Sequence, residues 1–217
     1  MNQEKIIFFQ DQILEWYYKN HRNYDWRKQP LNAYNVVISE ILLQRTQANT
    51  VAKFYPVFLE KYPNWEKLIE ANEKDLQKFL IPVGLNNQKG TRLFNLAQTV
   101  KKLKGVLPDN KDDIKKLPMI GQYIANAYET FILNKPAPLL DVNMARVLER
   151  YFQPRKLSDI RYDPFLQKIS YKIIDHSEFK KLNWAILDYG ALVCKARKPL
   201  CENCGLTSKC TYFNKIT

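Results

Sequence analysis

A chain of 217 residues is long enough to bury a substantial core, as one domain or as two compact lobes. Thirty-four Lys and Arg against 22 Asp and Glu leave a formal net charge of +12, which suits a polyanionic partner, nucleic acid foremost. No run of roughly 18 apolar residues occurs, which excludes a membrane-spanning helix, and the N-terminal MNQEKIIFFQDQ has no apolar secretory h-region, which points to the cytoplasm.

The apolar pattern is helical nearly throughout. Val37, Ile38, Ile41 and Leu42 recur at three- and four-residue intervals, as do Val51, Phe54, Tyr55 and Phe58, and no segment alternates apolar with polar residues. An all-α fold follows, and prolines mostly near the breaks mark many short helices rather than a few long ones. On the first of these helices Glu40 is flanked at helical spacing by Val36, Val37, Ile41 and Leu43. A carboxylate bedded this way suits a proton donor or a hydrogen-bond partner for a base; the alternative is a helix-surface glutamate. Trp26 and Tyr34 read as core. Further on, Leu85 follows Gly84 in VGLNNQKG, where an apolar side chain on a loop tip either packs locally or wedges between base pairs.

From Asp112 to Arg150 a short helix, a turn at Leu117 to Gly121 and a longer helix from about Gln122 to Leu133 make a helix-hairpin-helix. The start of its second helix, at Gly121, offers backbone N–H groups and a positive dipole end to a DNA phosphate, a contact that positions without reading sequence. Asp141 precedes the periodic segment Asn143 to Tyr151, so it is placed to begin a helix, where N–H groups favour its ionised form. Such a fixed carboxylate is either a plain cap or a group able to stabilise a cationic sugar. The chain then closes on Cys194-x6-Cys201-x2-Cys204-x5-Cys210, one ligand set for an iron–sulfur cluster or zinc, with two disulfides disfavoured by compartment.

These stretches together resemble the endonuclease III superfamily of DNA glycosylases, whose cluster loop uses the same cysteine intervals. The hairpin is similar to their LPGxGxxxA at Leu117, Pro118, Gly121 and Ala125, with Asp141 where the catalytic aspartate stands. Met119 departs from it: where the family has glycine, a positive φ would strain methionine. Trp26, Arg27, Ser39, Glu40, Leu43 and Thr46 resemble the N-terminal motif of adenine and thymine mismatch glycosylases, with Asp25 in place of the usual proline.

The resemblance implies a catalytic set of Asp141, Tyr123 and Glu40, DNA contacts at Gln44, Arg45, Leu85, Lys89 and Gly121, and a [4Fe–4S] cluster on Cys194, Cys201, Cys204 and Cys210. Bifunctional members carry a Schiff-base lysine where this chain has Tyr123, so a monofunctional enzyme is implied, most like the prokaryotic thymine-DNA mismatch glycosylases that act on T or U opposite G. The expected architecture is a six-helix barrel domain over 26–134 and a cluster-bearing lobe of 1–25 with 135–217, with the active cleft between them. The partner is double-stranded DNA containing a mismatch, bound by a monomer. The rivals are an adenine glycosylase acting opposite G or 8-oxoguanine and a non-catalytic iron–sulfur DNA-binding protein.

Overall fold

The computed structural model describes residues 2–216, and among them every regular element is a helix. In chain order these are α1 (Gln3–Asn20), α2 (Ala33–Leu43), α3 (Ala48–Lys61), α4 (Trp65–Ile69), α5 (Glu73–Phe79), α6 (Asn86–Lys102), α7 (Lys111–Lys115), α8 (Gln122–Phe131), α9 (Val142–Tyr151), α10 (Pro164–Ile174), α11 (Phe179–Leu192) and α12 (Phe213–Ile216). Among the described residues no helix is long and apolar enough to cross a membrane. The short helices start where the sequence supplies a side-chain acceptor for their first N–H groups. Asn32, Asn64, Asn72 and Asn110 cap α2, α4, α5 and α7, and Asp163 caps α10 with Pro164 in its first turn. Pro56 is the exception among the prolines, lying inside α3 rather than at a break.

The chain forms two compact units, Asn23–Asn134 and Met1–Arg22 with Lys135–Thr217. In the first, α2 runs against α3 and α8, and Val37, Ile38, Ile41 and Leu42 join Phe58 and Leu96 in one buried cluster. Trp26 and Tyr34 belong to that cluster, as their sequence context implied. α5 and α6 approach closely at Gly90, where a Cβ would stand 2.8 Å from both the Cα and the N of Gln77. Because those atoms are backbone, Gly90→Ala should destabilise the protein by about 1–3 kcal/mol, which thermal denaturation measures.

In the second unit α1 packs on α11, and α11 on α9. Phe9 of α1 meets Tyr151 of α9 at a ring separation of 5.1 Å. Asp188 is fully buried on α11, yet it is compensated: its carboxylate accepts from the Arg22 backbone N–H at 2.9 Å and from Arg22 Nε at 2.7 Å. Asn183, also buried on α11, donates to Ala137 O at 3.0 Å and accepts from Leu139 N at 2.8 Å. Those two bonds pin the proline-containing loop that leads into Asp141.

Candidate active site

Asp141 caps α9. Its Oδ1 accepts from the backbone N–H groups of Asn143 and Met144, both at 2.8 Å, and its Oδ2 accepts from Asn143 Nδ2 at 2.7 Å. Burial pushes its pKa above the usual carboxylate range, and those three bonds pull back only part of the way. Asn143 is held in turn: its Oδ1 accepts from Arg146 Nη2 at 2.9 Å, and Arg146 also donates to Gly190 O at 2.6 Å and to Cys194 O at 2.9 Å. Gly190 permits this closeness, since a Cβ there would stand 3.0 Å from Asn143 Cβ. Asn143, Arg146 and Asn183 escaped the sequence reading. The legible signal was an amide two residues after the capping aspartate, the reach at which a side chain folds back on a helix start.

Glu40 lies on α2 with only 8% of its surface exposed, beside the buried Val36, Val37 and Ile41. The apolar bed inferred from helical spacing is therefore present. Tyr123 sits in the first turn of α8, half-buried against the core cluster of its unit. The hairpin that carries it joins α7 to α8, and an ion pair from Lys111 to Glu129 ties the two helices together. α8 starts at Gly121 with no side-chain cap.

Met119 has φ +70°, so the position does require the left-handed region that glycine enters freely. The methionine side chain packs against the core cluster, which offsets the strain. Replacing it separates the two effects. Met119→Gly should be more stable than Met119→Ala by about 1 kcal/mol, because only alanine keeps the φ penalty; paired denaturant titrations check the difference.

Of the expected DNA contacts, Arg45 and Leu85 are exposed at loop tips, and both have left-handed backbones, at φ +53° and +50°. Gln44 is half-buried at the C-cap of α2. Lys89 is a correction. It is only 2% exposed, its Nζ donates to Leu42 O, Thr46 Oγ1 and Val83 O, and it cannot reach a phosphate from there. Lys89, Leu93, Leu96 and Val100 fall on one face of α6, a stripe that already placed this lysine inward.

None of the four cysteines is in a disulfide, and they line one cavity with Arg150, Leu200 and Tyr212, of about 300 Å³ including the solvent at its mouth. Tyr189 donates its hydroxyl to Cys204 Sγ at 3.0 Å, and Arg150 Nη1 lies 3.4 Å from Cys194 Sγ. Among the described residues no three His, Cys, Asp or Glu converge as they would around a single metal ion. Lys195, Arg197 and Lys198 on the same loop are exposed.

Known proteins are similar to this chain over most of its length. A thymine/uracil-DNA glycosylase of Methanothermobacter thermautotrophicus is 31% identical across 100% of this chain and 97% of its own. An adenine DNA glycosylase of Buchnera aphidicola is 33% identical over 96% of this chain but only 59% of its own length. The solved structure of a thermostable thymine-DNA glycosylase superposes with a TM-score of 0.88 at 30% identity, covering 98% of each chain. Residues 38–169 match the family described as HhH-GPD superfamily base excision DNA repair protein. With its hairpin, its capped aspartate and these full-length relatives, the chain belongs to the HhH-GPD superfamily of base excision DNA repair proteins.

Proposed function

We propose that the protein is a monofunctional DNA glycosylase that removes T or U mispaired with G and leaves an abasic site. The observation that carries this reading is Asp141, a half-buried carboxylate locked at a helix start by three hydrogen bonds, in a chain whose full-length relatives bear thymine- and uracil-DNA glycosylase names. Thymine is a normal base, so selection rests on the mispair, which opens at lower cost than A·T.

In this mechanism the C1′–N bond breaks with its electron pair going to the base, and Glu40 assists the departure by a proton or hydrogen bond to the base. Asp141 stabilises the cationic sugar until the oxygen of a water bonds to C1′ and the proton it sheds passes to solvent. Tyr123 shapes the base pocket; a phenol forms no Schiff base, so the strand stays intact. Gly121 at the start of α8 receives a phosphate, and Arg45, with Gln44 beside it, and Leu85 fill the hole left by the extruded nucleotide.

The donor set also suits a [4Fe–4S] cluster. Such a cluster takes each thiolate on a separate iron, so it needs sulfurs spread around a cavity, as Cys194, Cys201, Cys204 and Cys210 are. Bound there it would supply a cross-link for the loop carrying Lys195, Arg197 and Lys198, since base hydrolysis exchanges no electrons. The protein acts as a monomer on mismatched duplex.

Single-turnover reactions on duplexes carrying G·T, G·U, A·G or A·8-oxoguanine, analysed with and without hot alkali, test the reading. Breakage of the T or U strand only after alkali is the expected result. Breakage confined to the adenine strand assigns the adenine glycosylase activity instead, and no breakage leaves a DNA-binding protein.

A further inference from the structure

Arg45 and Leu85 sit on two different loops, one after α2 and one before α6, and both are held in left-handed backbone that their side chains disfavour. Strained residues of this kind persist only where their surroundings over-determine them. The fixing element is a buried knot of hydrogen bonds beneath both tips. Lys89 Nζ donates to Leu42 O at 2.8 Å, three residues before Arg45, and to Val83 O at 3.2 Å, two residues before Leu85. Its remaining bond runs to Thr46 Oγ1 at 2.7 Å, and the Thr46 hydroxyl donates onward to Val83 O at 2.6 Å. An ammonium has three donors, and here each has an acceptor. The cation also lies at the C-terminal carbonyls of α2, the favourable end of that helix dipole. Burial lowers its pKa to about 8, so at neutral pH it is still mostly charged and its bonds are charge-assisted.

We infer that Lys89, with Thr46, is a positioning residue that clamps the two loops into one rigid wedge, so that Arg45 and Leu85 enter the duplex at a fixed spacing when a nucleotide is extruded. The inference rests on the glycosylase reading and deepens it: Lys89 touches neither DNA nor base, and its role is to couple the two tips. Without it each loop relaxes toward unstrained backbone, and the hole in the duplex is filled poorly.

The test compares the native protein with Lys89→Met, which keeps length and volume, and with Thr46→Val, which breaks two links but keeps the ammonium. Each is assayed on a G·U duplex carrying 2-aminopurine beside the mismatch, and on a duplex in which the uracil is an unpaired bulge and needs little extrusion. Lys89→Met should bind DNA, lose the fluorescence rise that reports unstacking, and lose excision from G·U by about 10²-fold, while excision from the bulge stays near native. Thr46→Val should show the same pattern more weakly, and it carries the test if Lys89→Met does not fold. Equal losses on the two substrates, or no loss on either, would overturn the clamp by reducing Lys89 to a stability role or to none. If the native protein raises the fluorescence but excises nothing, the glycosylase reading fails by itself. The fluorescence arm then still decides the clamp, because a full rise with Lys89→Met overturns it.

Discussion

Asp141→Asn should lower single-turnover excision from a G·U duplex by about 10³-fold while leaving the dissociation constant for the same duplex within error of native. The substitution keeps the oxygen that accepts from the N–H groups of Asn143 and Met144, so α9 keeps its cap. What disappears is the negative charge opposite the cationic sugar. Retained excision in a folded variant would remove Asp141 from the chemistry. The native enzyme carries a matching pH signature. Burial raises the Asp141 pKa, so as pH falls the carboxylate takes up its proton earlier than an ordinary aspartate, and excision declines with it on the acid side. The stability term has the opposite sense. Between the ordinary value of 3.8 and the raised folded value the native state binds the proton more tightly than the unfolded chain, so this group's contribution to stability falls as pH rises through that window. Excision rates measured across the acid range, alongside chemical denaturation at the same pH values, separate the two effects.

The second large effect is expected at the cysteine cavity. Cys204→Ser removes a sulfur to which Tyr189 donates at 3.0 Å, and on the proposed cluster assignment it should abolish the visible iron–sulfur absorption of the purified protein. The loop would then no longer present Lys195, Arg197 and Lys198 together. If all three contact phosphate, the slope of log affinity against log salt should become shallower by about 2 to 3. Unit-specific proteolysis should find new cleavage between residues 194 and 212. A protein that loses the absorption yet keeps its salt slope would show that the cluster does not hold a DNA-binding surface.

Much of this was readable from local pattern. Helical periodicity marks α2, α3 and α9 because a helix buries one face and repeats it every three or four residues, and asparagine caps mark where several helices begin. Asp141 ahead of an amphipathic segment, Glu40 among apolar neighbours and the four cysteine intervals are likewise properties of short stretches. The positive φ at Met119 was a conditional expectation, and the backbone of the hairpin made it real. What the sequence could not settle is where each polar group finds its partner. The stripe on α6 turns Lys89 inward, but the acceptors it meets there, the carbonyls of Leu42 and Val83, are supplied by two other segments. Arg146 becomes a fixed support for Asn143 because α11 and the residues after it bring the Gly190 and Cys194 carbonyls alongside α9. Composition, periodicity and capping are decided within a few residues of chain. A buried ammonium or amide must be satisfied by whatever the fold packs against it, so its role is fixed only at the level of tertiary structure.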